Sequence, residues 1–243
     1  MVIIPAIDLH KGKCVRLAQG RKEAATIYDR DPIQVAKDFE LAGAQLLHIV
    51  DLDAAFSDGP SPNRPLLLEI IRAIQIPVQF GGGLRNSDDV KEVIELGVKR
   101  AIIGTLAVES PETLKELVVI LGGDRVAVSI DAKDGEVMAR GWERGGKITA
   151  VDLARTVAKA GIERIIYTDV ARDGMLAGLN IDQTVRIARE SGLKVTASGG
   201  VSSVEDIKRL NQLRTFGVDS VIVGKALYDG RFTLGGALQV GSE

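Results

Sequence analysis

The chain has 243 residues, 45% hydrophobic and 26% charged, with 31 basic against 33 acidic side chains and a formal net charge of −2, so no net field attracts a nucleic-acid backbone or an anionic membrane. No window approaches the ~20 apolar residues of a membrane span, Pro5 and Asp8 interrupt the N-terminus before a signal-peptide run forms, and the lone Cys14 excludes an intramolecular disulfide and suits a reducing, cytoplasmic setting. A secreted disulfide scaffold, a membrane protein and a disordered tail are thereby excluded, and a chain of this size buries roughly 70–75% of its unfolded surface, enough for a full core.

In chain order, short β-branched runs alternate with segments of helical period. Strands are predicted near Val2–Asp8, Gln45–Asp51, Ile76–Phe80, Arg100–Gly104, Arg125–Asp131, Arg164–Asp169, Lys194–Ser198 and Ser220–Gly224. Helices are predicted near Pro32–Ala42, Arg64–Ala73, Ser87–Leu96, Pro111–Ile120, Ala150–Ala160, Ile181–Glu190, Val204–Leu210 and Thr233–Gln239. Asp31-Pro32 and Ser110-Pro111 mark helix starts, and Gly43, Gly97, Gly161 and Gly192 mark helix ends. Strands that are apolar nearly throughout, such as 100–104 and 221–223, suit a parallel sheet covered by helices. Eight strand–helix units in about 250 residues is the count of a TIM (β/α)8 barrel. An open doubly wound sheet competes, but normally needs fewer strands.

The two halves of the chain correspond. Ala6-Ile7-Asp8 with Gly12 matches Ser129-Ile130-Asp131 with Gly135, and the segment 43–51 matches 161–169. Gly82-Gly83-Leu84 matches Gly199-Gly200-Val201, and Ile103-Gly104-Thr105 matches Val223-Gly224-Lys225. One domain over 1–243 is therefore expected, made of two half-barrels of roughly 1–122 and 123–243.

In such a barrel the reactive face lies at the C-terminal ends of the strands. Asp8 and Asp131 end the first and fifth strands, which puts two carboxylates across one mouth. A carboxylate pair can divide general base and general acid between its members; a lone Asp after a strand would more simply cap a loop. Gly82, Gly83, Gly104 and Thr105 in the first half are answered by Gly199, Gly200, Gly224 and Lys225 in the second. Glycine lets backbone N–H groups approach an anion, and a following helix start favours it. Turn-making is the plainer role of such residues, but the doubled set predicts a small ligand with a phosphate at each end.

Thr168 and Asp173, with Gly178 close behind, lie on a loop after the sixth strand that can close over a ligand. Thr168 can bond a reacting hydroxyl and Asp173 can act as an acid, although Asp-Gly is also a turn dipeptide. Trp142 in a glycine-flanked loop offers a stacking platform, while Arg16 and Arg85 can hold an anionic group. His48, inside an apolar strand, reads as a satisfied core residue, and no His/Cys/Asp/Glu spacing suggests a metal or any other cofactor.

Three stretches carry a family likeness: Ile4-Pro5-Ala6-Ile7-Asp8-Leu9, Arg172-Asp173-Gly174-Met175-Leu176 and Val223-Gly224-Lys225-Ala226-Leu227. With Gly82-Gly83-Leu84-Arg85 and Gly141-Trp142 they resemble the phosphoribosyl isomerase of histidine biosynthesis, over essentially the whole chain. The resemblance implies a half-barrel-repeat TIM barrel that needs no cofactor. It implies an Amadori rearrangement of N′-((5′-phosphoribosyl)formimino)-5-aminoimidazole-4-carboxamide ribonucleotide (ProFAR), turning an aminoaldose into an aminoketose. It further implies that Asp8 accepts the C2′ proton, that Asp131 donates a proton in ring opening, and that the protein is a monomer. In actinobacterial relatives the same barrel also isomerises phosphoribosylanthranilate, with the Asp matching Asp173 as acid and the Arg matching Arg16 on the substrate carboxylate. The chain carries both residues. The cyclase subunit of imidazole glycerol phosphate synthase shares the repeat, but it opens with Cys where this chain has Ala6. A barrel that only binds a bisphosphorylated metabolite is a further alternative, for which two mouth carboxylates would be a liability.

Overall fold

A computed structural model describes residues 1–18, 21–56, 61–139 and 144–243. Eight parallel strands form the frame: β1 Val2–His10, β2 Leu47–Asp51, β3 Val78–Gly81, β4 Arg100–Ile103, β5 Val126–Lys133, β6 Arg164–Asp169, β7 Lys194–Ser198 and β8 Val218–Val223. Each pairs with its sequence neighbours, and β8 returns to β1 with Val2 opposite Ser220 and Pro5 opposite Val223. The ring is therefore closed and no edge of the eight is left open. This is the expected TIM barrel, and its strand order sets β1 across from β5 and the β3–β4 pair across from β7–β8.

Eight main helices wrap the ring: α1 Pro32–Leu41, α2 Arg64–Ala73, α3 Ser87–Glu95, α4 Pro111–Leu121, α5 Ala150–Lys159, α6 Ile181–Ser191, α7 Val204–Asn211 and α8 Leu234–Ser242. Their starts follow side-chain chemistry. Asp31 accepts from Ile33 N at 3.2 Å, and Asn86 forms a capping box with Asp89. At the C-terminal end of α6, Gly192 takes φ +71, which costs glycine nothing. Among the described residues no helix is long and apolar enough to cross a membrane.

Both faces of the strands are buried, so successive residues serve two different cores. Ile3, Ile7, Leu47, Ile49, Phe80 and Val128 point outward against the helices. Ile4, Ala6, Ile102, Ala127, Ile166 and Ile222 point inward and fill the middle of the barrel. Below that layer Arg164 grips Asp219 with both terminal nitrogens at 2.5 and 2.6 Å, and also donates to Ser220 Oγ and Thr196 Oγ1. The interior is thus apolar at mid-height, polar at the N-terminal end and polar again at the mouth.

Two features lie outside the predicted elements. After β1 the chain folds back as strands Lys13–Ala18 and Arg21–Tyr28, and after β5 as Glu136–Ala139 and Arg144–Thr149. Both hairpins begin with two successive left-handed residues, Lys11-Gly12 at φ 49 and 73 and Asp134-Gly135 at φ 54 and 83, the backbone of a type I′ turn. Short helices also follow β2, β4 and β8, at Leu52–Phe56, Thr105–Glu109 and Lys225–Tyr228.

Candidate active site

The mouth at the C-terminal ends of the strands holds a cavity of about 570 Å³. Asp8, Asp131, Thr168 and Asp173 line it, with Arg16 and Arg85. So do Gly82, Gly83, Gly104 and Thr105 from one half and Gly199, Gly200, Gly224 and Lys225 from the other. Two sequence-predicted residues stand apart. Gly178 lies one layer behind, donating its N–H to Gly200 O at 2.9 Å, so it props the loop. Trp142 lies outside the described residues.

Asp8 is an inward residue of β1, and its Oδ2 receives Arg16 Nη1 at 2.6 Å. Arg16 comes from the hairpin after β1, also donates to Ala6 O, and stacks 5.2 Å from the Tyr228 ring centre. Burial opposes the guanidinium charge, but Asp8, Tyr228 and Asp173 together outweigh it, so the Arg16 pKa is raised. Asp131, opposite Asp8, accepts from Ser129 Oγ at 2.9 Å.

Asp173 is the third carboxylate. Its carboxyl group is enclosed by the mouth although the residue keeps some exposed surface. Burial raises its pKa most, the Asp8 charge adds to that, Arg16 opposes, and Asp131 adds again; together they push it up to about 7. Asp173 is therefore poised between protonated and ionised near neutral pH.

The glycine loops require glycine. Gly82 has φ +104, and a Cβ there would collide with Asp51 O. Gly200 has φ +94, and a Cβ there would stand 2.5 Å from Gly178 O. Gly104 and Gly224 share one backbone conformation, φ −113 with ψ −87 and −95, and each opens a short helix. The cations near the loops are already braced: Arg85 donates to Ala54 O at 3.0 Å, and Lys225 pairs with Asp229.

Sequence reasoning missed the supports beneath these loops. Asp51, fully buried at the end of β2, accepts from Ala54 N at 3.0 Å, Asn63 Nδ2 at 2.8 Å and Ser61 Oγ. Asp169, at the end of β6, accepts from Ala171 N at 3.0 Å and Asn180 Nδ2 at 2.6 Å. The signal existed, because Asn63 and Asn180 keep the offset that relates the two glycine loops. His48 is buried and hydrogen-bonded, as expected of a core residue, and in addition it faces inward on β2 and forms part of the cavity floor.

The sequence profile of the family described as histidine biosynthesis protein matches residues 2–233. Similar curated proteins include one from Desulforudis audaxviator, 47% identical over 238 residues that cover 98% of this chain and 90% of the relative. One from Carboxydothermus hydrogenoformans is 48% identical, covering 96% of each chain. One from Moorella thermoacetica is 45% identical, covering 100% and 99%. All three bear the name 1-(5-phosphoribosyl)-5-((5-phosphoribosylamino)methylideneamino)imidazole-4-carboxamide isomerase.

Proposed function

We propose, from the premise that this chain belongs to the histidine biosynthesis protein family, that it isomerises the bisphosphorylated aminoaldose of its relatives' name, ProFAR, to the aminoketose. One observation carries the chemistry: carboxylates from opposite strands face one cavity, with a glycine loop pair on either side. The loop pairs hold the two terminal phosphates through backbone N–H groups, which leaves the reacting ribose over the carboxylates.

The reaction moves one hydrogen from C2′ to C1′ and needs no electron carrier. An acid delivers a proton to the ring oxygen as the C1′–O bond breaks, leaving a protonated imine at C1′. Asp8, ionised and aimed by Arg16, then takes the proton from C2′, and the electron pair forms the C1′–C2′ double bond of an enaminol. Protonation at C1′ and loss of the C2′ hydroxyl proton give the ketone. Asp131, opposite Asp8, is the donor for ring opening, and Thr168 bonds a ribose hydroxyl. Asp173 has the protonation state an acid needs and stands as its partner or substitute. Arg16 and Arg85 border the substrate, and a stacking surface for the carboxamide-bearing ring falls to Trp142. The chain works as a monomer in a reducing compartment and as one domain of two halves, 1–122 and 123–243.

The test is turnover of ProFAR and of phosphoribosylanthranilate by the purified chain and by Asp8→Asn. ProFAR turnover that falls at least about 10²-fold in the variant is expected for loss of a general base. No ProFAR turnover by the wild type, or near-wild-type turnover by the variant, sinks the reading. Turnover of phosphoribosylanthranilate as well would widen the substrate range.

A further inference from the structure

His48, Gln79 and Arg100 stand in one row across β2, β3 and β4, with His48 opposite Gln79 and Gln79 opposite Arg100. Because barrel strands are staggered, the row climbs from the N-terminal end, where Arg100 binds Asp124 O, to the cavity floor at His48. Gln79 is fully buried between the other two. Arg100 Nη1 lies 3.0 Å from Gln79 Oε1, and Gln79 Nε2 lies 3.1 Å from His48 Nδ1.

A guanidinium can only donate, so the Gln79 atom that faces Arg100 must be the carbonyl oxygen. Its amide nitrogen is then committed to His48, and an NH2 group likewise only donates. Nδ1 of His48 must accept, which leaves the ring proton on Nε2. Nε2 has no hydrogen-bond partner among the described residues. Burial, with the Arg16 charge behind it, pushes the His48 pKa down to about 3, in keeping with a neutral ring.

We propose that Arg100 and Gln79 are positioning residues that lock His48 in the Nε2–H tautomer, so that an uncharged donor faces a ribose oxygen of the bound substrate. Two residues along β2 from His48, Val50 pairs with Asp8, so the donor lies on the side of the proposed base. A neutral N–H can hold the C2′ oxygen while it changes from hydroxyl to carbonyl, and it does not compete for the proton that Asp8 takes. The functional half of this inference rests on the isomerase reading; the tautomer itself does not.

Gln79→Glu is the discriminating change. It preserves size and the bond to Arg100 but turns the group facing His48 from donor to acceptor. The chain has only two histidines, and His10→Gln leaves His48 alone in nitrogen spectra of histidine-labelled protein. Without ligand, the wild type should show Nε2 protonated and Nδ1 bare. Q79E should move the proton to Nδ1 or charge the ring, and Arg100→Met, which frees the amide to turn over, should populate both tautomers. With ProFAR, Q79E should lower kcat/KM about tenfold or more while inorganic phosphate binds as to the wild type. A wild-type spectrum with Nδ1 protonated overturns the proposal, as does an unchanged tautomer in both variants. A shifted tautomer with full turnover overturns the functional half, and a wild type with the expected tautomer but no turnover indicts the isomerase reading instead.

Discussion

Asp173→Asn should stabilise the protein above neutral pH and do nothing to it in acid. Proton binding and folding are linked. Burial and the charges of Asp8 and Asp131 raise the Asp173 pKa from 3.8 to about 7 in the fold. A raised carboxyl pKa means that the folded state holds its proton more tightly than the unfolded chain. Below about 4 both states are protonated and the group is neutral with respect to stability. As pH rises toward 7 the unfolded chain ionises freely while the folded one resists, so stability is lost across that window and stays lost above it. Three pH units correspond to about 4 kcal/mol, and solvent screening at a partly exposed residue reduces that to about 2 kcal/mol. Asparagine keeps the shape and can still accept the backbone bond from Gly174 but carries no charge. For a chain of this length about 2 kcal/mol corresponds to a gain of roughly 4–8 °C in Tm. Thermal unfolding of both proteins in low-salt buffer at pH 4 and pH 8 reads the difference directly. A variant no more stable than the wild type at pH 8, or a gain that persists undiminished at pH 4, would refute the account of the mouth.

Gly200→Ala forces a side chain onto φ +94 and within 2.5 Å of Gly178 O, so the loop must move. Titration with phosphate should show affinity reduced about tenfold or more, since an anion held by backbone N–H groups depends on their placement, whereas Gly192→Ala, with open space at its Cβ, should leave binding unchanged. Asn180→Ala removes both a bond to the buried Asp169 carboxylate and the cap of α6. A loss of about 2–3 kcal/mol in urea unfolding is expected, and a loss under half a kcal/mol would mean that solvent replaces the amide.

All eight barrel strands and all eight main helices were legible because each is a run of one period bounded by Gly, Pro or a capping residue. The hairpins were not. Lys13–Ala18 and Arg21–Tyr28 lie outside the ring, carry charged residues, and lack the continuous apolar run that marked the barrel strands. Their one local signal is the turn, and Asp134-Gly135 is a strong hairpin dipeptide that the half-to-half comparison had already aligned with Gly12. Helices of four or five residues, such as Lys225–Tyr228, are too short to show a period. His48 is the buried, hydrogen-bonded residue expected, but its place on the cavity floor was not legible, for a different reason. In a parallel strand covered on both faces the alternation of inside and outside leaves no trace in polarity, so an inward His between Leu47 and Ile49 looks like core. The opposing carboxylates and the glycine loops were legible because duplication repeats them; Asp51–Asn63 and Asp169–Asn180 are equally duplicated, but Asp and Asn eleven or twelve residues apart have no local pattern that marks a hydrogen-bonded pair.

Duplication accounts for the frame of the site but cannot account for its chemistry, because a symmetric pair of carboxylates has no reason to split into base and acid. The departures from symmetry supply that reason. Asp8 is tied to Arg16, whereas the position corresponding to Arg16 in the second half is Ala139. Asp131 is tied to Ser129, whereas the position corresponding to Ser129 is Ala6. Asp173 has no acidic counterpart at all, since Ala55 stands where the second would be. One carboxylate is held by a guanidinium, the other by a neutral hydroxyl, and the unmatched third, pressed by burial and by both neighbouring charges, holds its proton to about neutral pH. The half-barrels therefore fix where a two-ended ligand lies, and the unpaired substitutions decide which way protons move across it. The same local logic reconciles a net charge of −2 with an anionic ligand, because backbone N–H groups at the glycine loops carry no formal charge.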